Sequence, residues 1–189
     1  MRLFIAINIS KRSKKLITKK INSLKNEINK DIKWVKSDNW HITLKFLGEV
    51  KKRNLPKIKN EISNIKDMKK FYFQINHLGA FPNLDYPKVI YFGINKGENN
   101  LINIHNQIED KLVALNFKKD ERNFTPHLTI ARGRKNSNYQ KLSHLLRNFI
   151  ENNNNFVNIY SYVDRISLMK STLTPEGPIY QEIFSNNLY

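Results

Sequence analysis

The feature that most constrains the fold of this chain is a four-residue pattern that occurs twice. His41-Ile42-Thr43-Leu44 is repeated later as His127-Leu128-Thr129-Ile130. Each copy alternates a polar with an aliphatic residue, which is typical of a β-strand with one buried face. Residues two apart in a strand project from the same face. The repeat therefore predicts two strands that present two histidine–threonine pairs to one cleft.

The rest of the chain alternates between helical and strand-like patterns. Apolar residues at helical spacing predict four helices, over residues 11–30, 55–66, 98–115 and 138–150. Apolar runs and alternation predict strands over residues 2–8, 40–47, 71–79, 88–94, 127–131, 156–169 and 178–185. Gly48 is expected to break the strand of the first motif, and the polar run 152–155 to form a loop. Interleaved helices and hairpin-like strands predict an α+β fold, and without a long linker we expect one domain over residues 1–189.

Composition excludes several classes of site. The chain has no cysteine, which rules out disulfides, thiolate metal ligands and a cysteine nucleophile and agrees with a cytoplasmic location. No apolar run approaches the ~18 residues that a membrane helix needs. The formal net charge of +17 fits a polyanionic partner such as RNA, but a chain this rich in Lys, Asn and Ile can also owe its charge to genome composition. The sequence leaves both explanations open.

The two histidines have the chemistry of an acid–base pair. Hydrolysis of a phosphodiester needs a base to activate water and an acid to protonate the leaving oxygen, and histidine serves for both because its pKa lies near neutrality. Threonine hydroxyls can donate hydrogen bonds to phosphate oxygens. Either histidine alone would more simply be a structural strand residue; the repeat favours function. A zinc site is less favoured because no third ligand accompanies the pair, so we expect neither metal nor cofactor.

These motifs and their surroundings resemble the two-histidine (2H) phosphoesterase superfamily, which is defined by two His-x-Thr-x motifs. The resemblance is strongest to the branch of RNA 2′,3′-cyclic phosphodiesterases, also called LigT-like proteins or 2′-5′ RNA ligases. It covers nearly the whole chain. The segments that carry it are residues 1–7, 33–36, 39–49, 79–83, 124–132 and 170–180.

The resemblance implies a bilobal α+β fold in which two antiparallel sheets are related by a pseudo-twofold axis, with helices packed outside and the two lobes interleaved in the chain. It implies that a terminal 2′,3′-cyclic phosphate is hydrolysed to a 2′-phosphomonoester without a metal. His41 would be the proton donor and His127 the proton acceptor, although nothing in the sequence itself sets that order. Because the repeat completes the site within one chain, we expect a monomer.

Three further residues are assigned to phosphate. The resemblance implies that Thr43, Thr129 and Arg132 bind it. Simple alternation places Arg132 on the face opposite His127, so this role requires a bulge or a strand end that turns Arg132 inward.

Neighbouring residues receive simpler interpretations. Lys45 shares the alternation of His41 and is expected either to contact the RNA backbone or to be solvated. Phe46 and Trp40 alternate to the other face and are expected to pack in the core. Arg134 and Lys135 extend a basic edge that could steer RNA. The remaining histidines lack a following threonine and are expected to be structural or on the surface: His77, His105 and His144.

Two alternatives to hydrolysis remain. The same residues could catalyse the reverse reaction, 2′-5′ RNA ligation, with a 5′-hydroxyl in place of water; we expect hydrolysis to dominate because water is the solvent. A protein of another class, an RNA-binding module without catalysis, is disfavoured by the intact motifs. The RNA itself is not specified: tRNA halves, degradation fragments and small cyclic-phosphate nucleotides all fit.

Overall fold

In the computed structural model, which describes residues 1–28, 31–66, 68–152 and 158–189, strands and helices alternate along the chain. The strands are β1 (Arg2–Asn8), β2 (Ile32–Trp34), β3 (His41–Glu49), β4 (Phe71–Phe81), β5 (Val89–Ile94), β6 (His127–Gly133), β7 (Ile159–Val163), β8 (Arg165–Thr174) and β9 (Gly177–Asn187). The α-helices are α1 (Lys11–Ile28), α2 (Leu55–Ser63), α3 (Glu98–Val113) and α4 (Tyr139–Asn152). The predicted α+β class is confirmed.

The strands form one antiparallel sheet with a narrow waist. Its order is β7-β4-β5-β6-β3-β1-β8-β9, with β2 also paired to β6. The two motif strands, β3 and β6, meet at a single register pair, Ile42 with Leu128. We call strands β3, β1, β8 and β9 the first-motif half and strands β6, β5, β4 and β7 the second-motif half. In each half a strand, a helix and the motif strand follow in that order: β1, α1 and β3, and β5, α3 and β6.

The helices bury the apolar stripes that their spacing predicts. In α1 the buried apolar positions are Ile17, Ile21, Leu24 and Ile28, and in α3 they include Leu101, Ile104, Ile108 and Leu112. Ile42 and Leu128 are fully buried in the same core. Each such side chain contributes about 1.5–3 kcal/mol when it leaves water. This burial holds the aliphatic face of both motif strands inward and therefore turns the polar face outward.

Several element boundaries differ from the sequence prediction. The stretch predicted as one strand over 156–169 is two strands, because the chain turns at Asp164 between β7 in one half and β8 in the other. The turn contains neither Gly nor Pro, so no local signal marked it. The three-residue strand β2 was not predicted. Helix α2 ends at Ser63, short of the predicted residue 66.

Some predictions concern residues outside the described part of the chain. These are the last two residues of the predicted helix 11–30, residues 153–155 of the predicted loop, and residues 156–157 of the predicted strand. Asn152, the first residue of that loop, is instead the last residue of α4. Gly48 does not end its strand: β3 continues to Glu49, with Gly48 at a φ of +66° beside a register shift against β1. No helix in the described ranges is both long and apolar enough to cross a membrane.

Candidate active site

The two motifs lie side by side where the halves of the sheet meet. Ile42 and Leu128 are register partners on antiparallel strands, and both point into the core. Residues on either side of them therefore face away from the core. Continuing the register sets His41 across from Thr129 and Thr43 across from His127. Because this arrangement is diagonal, each histidine has a threonine from its own strand and one from the neighbouring strand nearby.

The local hydrogen bonds hold the two imidazoles in the same tautomer. Nδ1 of His41 lies 2.6 Å from the carbonyl oxygen of Asn39, and Nδ1 of His127 lies 2.7 Å from that of Thr125. A carbonyl oxygen can only accept, so Nδ1 carries the proton in both rings. Nε2 is therefore the atom that gains or loses a proton in each histidine.

The two Nε2 atoms differ in their partners. Nε2 of His41 lies 2.9 Å from Oγ1 of Thr43, and in the neutral ring the threonine hydroxyl donates this hydrogen bond. Within the described part of the chain, Nε2 of His127 has no hydrogen-bond partner. The lone pair on the neutral ring of His127 is consequently open to the cleft.

The electrostatic environment favours neutral histidines in the unliganded protein. The pKa of His41 is lowered to about 4, chiefly by burial and to a smaller extent by the positive charges of Lys14 and Arg132, against the opposing effect of the carbonyl of Asn39. Burial likewise lowers the pKa of His127, with a smaller contribution from Arg132. An anion bound between the rings would raise both pKa values because it stabilises the charged form.

Each motif is followed at once by a β-bulge. In β3, Thr43 and Lys45 pair with consecutive residues of β1, which leaves Leu44 as an extra residue. In β6, Ile130 is the extra residue against β5 in the same way. An extra residue reverses the alternation, so every side chain beyond it projects from the other face.

The carbonyl oxygens of both bulged residues are hydrogen-bonded. The carbonyl of Leu44 accepts a hydrogen bond from Nδ1 of His105 at 2.8 Å, and that of Ile130 accepts one from the backbone N–H of Val35 at 2.9 Å. A buried carbonyl without a partner would cost free energy comparable to a lost hydrogen bond. The two contacts therefore stabilise the bulges at these positions.

The bulge in β6 turns Arg132 to the face that carries His127. A role for Arg132 in phosphate binding requires this orientation. Arg132 is exposed, and its charge acts on the pKa values of His41, His127 and Tyr180 alike. The guanidinium group therefore lies near both motifs.

The bulge in β3 overturns two predictions. Lys45 is neither solvated nor available to RNA: it is 3% exposed, and its Nζ lies 2.5 Å from Oε1 of Glu109 and 3.3 Å from Oδ1 of Asp120. Phe46 is not in the core but is 66% exposed, and its ring centroid lies 6.2 Å from that of Phe4. Both errors follow from assuming unbroken alternation past Leu44.

On the first-motif side, aromatic rings and a lysine surround His41. The ring of Phe4 lies 4.8 Å from the imidazole, and Tyr180 meets it edge-on at 5.2 Å. Lys14 lies on α1 with its Nζ 2.9 Å from the carbonyl of Asp38, and its charge lowers the pKa of His41. Sequence reasoning gave no site role to Lys14 or to Tyr180, the last residue of the segment 170–180, because only tertiary folding brings them to His41.

The other single residues divide between structure and surface. Trp40 is 2% exposed, as predicted for packing. His105 is buried, where its ring stacks on Phe124 at 4.2 Å, and His144 is exposed and pairs with Asn148. The exposed residues Arg134 and Lys135 follow β6. Among the described residues, no group of three or more His, Asp or Glu side chains is placed to hold a metal ion.

Comparisons of sequence agree on one family. The sequence model of the LigT like Phosphoesterase family matches residues 14–91 and 93–180. The chain is 40% identical over 184 residues to an RNA 2′,3′-cyclic phosphodiesterase of Methanocaldococcus jannaschii, with 97% of this chain and 98% of that protein covered. It is 30% identical over 185 residues to the protein of the same name from Archaeoglobus fulgidus, at 97% and 98% coverage.

Comparisons of structure agree on the fold. A crystal structure of TT0787 from Thermus thermophilus superposes with a TM-score of 0.77 at 20% identity, covering 100% of this chain and 98% of that one. A crystal structure of E. coli LigT complexed with 3′-AMP superposes with a TM-score of 0.76 at 20% identity, covering 99% and 97%. The fold of this chain is therefore shared with these two solved structures.

Proposed function

Because this chain belongs to the LigT-like phosphoesterase family, we propose that it hydrolyses RNA 2′,3′-cyclic phosphate ends to 2′-phosphomonoesters, with His41 and His127 as the acid–base pair. The observation that carries the proposal is that two histidine–threonine pairs lie opposite each other on neighbouring strands, with Nδ1 of each histidine hydrogen-bonded to a backbone carbonyl. The full-length similarity to relatives named RNA 2′,3′-cyclic phosphodiesterase supports the substrate class.

The proposed reaction uses the Nε2 atoms of both histidines. Nε2 of His127 accepts a proton from water, and the water oxygen attacks phosphorus while the bond from phosphorus to the 3′ oxygen breaks. Protonated His41 donates its Nε2 proton to the departing 3′ oxygen, which leaves the phosphate on the 2′ oxygen. Each of these roles contributes roughly 10²–10⁴-fold. The order of roles follows the family resemblance, and the free lone pair of His127 fits the role of base.

The phosphate supplies what the unliganded site lacks, a protonated acid. With a pKa of about 4 in the free protein, His41 is neutral at pH 7. A phosphate anion between the two rings raises that pKa, because opposite charges stabilise each other at short distance. Substrate binding would therefore charge the acid at the moment when it is needed.

Charge that develops on the phosphate would be stabilised by side chains of this chain. Thr43 and Thr129 present hydroxyl donors on the histidine face, and Arg132 adds a fixed positive charge near both rings. Hydrogen bonds to an oxyanion are among the larger contributions to catalysis. We propose that these groups suffice without a metal ion.

An assay with a defined RNA end tests the proposal. A short RNA ending in 2′,3′-cyclic phosphate is incubated with the protein in excess EDTA, and the phosphate position in the product is read by ³¹P NMR. Conversion to a 2′-phosphate is expected, with none in the double variant His41→Ala/His127→Ala. Loss of activity in EDTA would contradict metal independence, and a 3′-phosphate would contradict the assigned regiochemistry. RNA binding without conversion would favour a binding module.

Ligation needs only a different nucleophile. A 5′-hydroxyl in place of water would yield a 2′-5′ linkage through the same proton transfers. We propose this ligation as a minor activity, measured by including an RNA with a free 5′-hydroxyl in the same assay. A joined product that forms with wild type and disappears with the double variant is the expected result.

A further inference from the structure

A buried histidine outside the two motifs contacts the segments that carry both of them. Of the three histidines outside the motifs, His77 and His144 are exposed, whereas His105 on α3 is 6% exposed. Burying a polar ring costs free energy unless the ring is hydrogen-bonded. Nδ1 of His105 donates to the carbonyl of Leu44, but the proposed reaction assigns this ring no proton transfer. The burial of His105 therefore needs an explanation other than acid–base chemistry.

The hydrogen bond of His105 reaches the first motif. Leu44 is the bulged residue of β3 and directly follows Thr43, whose Oγ1 lies 2.9 Å from Nε2 of His41. The bond from Nδ1 of His105 to the Leu44 carbonyl is 2.8 Å long. Because the bulge decides where the register of β3 changes, this bond holds Thr43 and His41 in place relative to α3.

The face of the same ring reaches the second motif. Phe124 stacks on the imidazole of His105, with the ring centroids 4.2 Å apart and the planes inclined by 14°. The next residue is Thr125, whose carbonyl accepts the hydrogen bond from Nδ1 of His127. Stacked aromatic rings prefer a defined geometry. His105 therefore also holds the segment that leads into β6.

Helix α3 is placed to join the two halves of the sheet. In the chain it lies between β5 and β6 of the second-motif half, but it packs against β3 of the first-motif half. Glu109, one turn after His105, repeats the connection: Oε1 contacts Nζ of Lys45, and Oε2 accepts the backbone N–H of Asp120. The motif strands themselves share one register pair, so these contacts through α3 add a second connection between the motifs.

We propose that His105 is a positioning residue that sets the separation of the two acid–base imidazoles. Its Nδ1–H fixes the bulge that follows the first motif and its ring fixes the segment before the second, so one side chain couples the position of His41 to that of His127. This inference rests on the proposed function. Proton transfer needs the acid and the base within hydrogen-bond reach of the reacting oxygens, and a misplacement of about 1 Å can cost about 10²-fold in rate.

Three substitutions separate the two contacts of His105. His105→Leu removes both and should lower kcat by about 10²-fold. His105→Asn keeps an N–H donor at the position of Nδ1, and His105→Phe keeps a flat ring against Phe124, so each should recover part of the loss. KM should be nearly unchanged, because no side chain that binds phosphate is altered. Steady-state kinetics on a short RNA with a 2′,3′-cyclic phosphate end measure both constants, at a temperature where circular dichroism shows each variant folded.

Leu146→Ala is the matched control, because it removes a fully buried side chain from α4, a helix that packs against α1. It should lower stability and leave the kcat of the folded protein unchanged. An equal loss of kcat in this control would show that His105 acts through stability alone and would overturn the inference.

The inference is also overturned if folded His105→Leu keeps the wild-type kcat, if its loss lies in KM alone, or if neither His105→Asn nor His105→Phe recovers activity. Should His105→Leu fail to fold, the other two variants decide: each lacks one contact, so each must lose kcat relative to wild type, and wild-type kcat in both would overturn the inference. A wild type that does not hydrolyse the cyclic end would instead refute the proposed function.

Discussion

The two motif strands follow the same plan up to one residue past the threonine and then diverge. Both bulge at the aliphatic residue after the threonine, Leu44 in β3 and Ile130 in β6. Beyond the bulge, the first-motif half directs Lys45 into the core and exposes Phe46, whereas the second-motif half buries Ala131 and exposes Arg132.

This difference divides the work between the halves. The segment that the two strands have in common runs from the histidine to the bulged residue. It supplies one acid–base group and one hydroxyl group from each half. The second position after the bulge supplies positive charge from the second-motif half and an apolar ring from the first-motif half. Only the first-motif half needs a buried ion pair to tie its bulge to α3, because only there is the residue that follows the bulge charged.

The largest expected effect tests the shared portion. His41→Ala and His127→Ala should each reduce kcat by roughly 10²–10⁴-fold, because each removes one proton transfer. The double variant should be little worse than the poorer single one, since residues that act as a unit are not additive. The kcat on cyclic-phosphate RNA measures this. His144→Ala, which removes an exposed histidine of α4, should remain fully active. If either motif variant kept its activity, the two histidines would not both be needed for catalysis.

Breaking the buried ion pair of the first-motif half should lower the stability of the fold. Lys45→Met is expected to lower the free energy of unfolding by about 3–5 kcal/mol, because it leaves the carboxylate of Glu109 buried and uncompensated. Urea denaturation measures the change. The exposed pair of Lys119 with Asp110 has the same 2.5 Å separation, so Lys119→Met should lower the free energy of unfolding far less than Lys45→Met, because solvent screens the pair.

A double variant shows whether Lys45→Met destabilises the protein by leaving a buried charge unpaired or by disturbing the packing around residue 45. Lys45→Met combined with Glu109→Leu should regain most of the lost free energy, since two apolar groups can replace a buried pair. A double variant as unstable as Lys45→Met alone would show that the pair is not what ties the bulge to α3.

Arg132 and Phe46 occupy equivalent positions, the second residue after the bulge in each motif strand. Replacing each of them compares the contributions of the two halves to activity. Arg132→Leu should reduce kcat/KM by about 10- to 100-fold, the range of a charged hydrogen bond of about 1.5–3 kcal/mol. Phe46→Leu should change kcat/KM by about twofold at most, as for an ordinary exposed side chain. Steady-state kinetics on one RNA measures both. Equal losses would contradict the division between a charged and an uncharged half.

The smallest expected effect is a shift in titration. By NMR, the imidazole of His41 in the free protein should titrate near pH 4 and that of His127 below its ordinary pKa, because burial disfavours the charged form. Arg132→Leu removes a positive charge and should raise the pKa of both histidines. Since His41 must be protonated in the substrate complex to act, the alkaline limb of kcat, which reports the pKa values of that complex, should then move to higher pH. An unchanged titration would place Arg132 away from the rings.

Much of the fold was predictable from local patterns. The four helices were recognised because their apolar spacing is set within each helix, and the stripes of α1 and α3 are buried as expected. The strand β2 was missed since three residues carry no period, and β7 and β8 were merged because Asp164 and Arg165 interrupt the apolar pattern too briefly to mark the end of a strand. Local pattern does not show which half of the sheet a strand joins.

The candidate site divides along the same line. Strand alternation is a property of neighbouring residues, so the sequence was enough to place His41 and Thr43 on one face, and likewise His127 and Thr129. The face of Lys45, Phe46 and Arg132 depends instead on the tertiary structure. Their orientation depends on bulges that arise from pairing with β1 and β5 and are stabilised by His105 and Val35, all remote in the chain. One extra residue in a register reverses every side chain beyond it, and register is a relation between strands rather than a property of one.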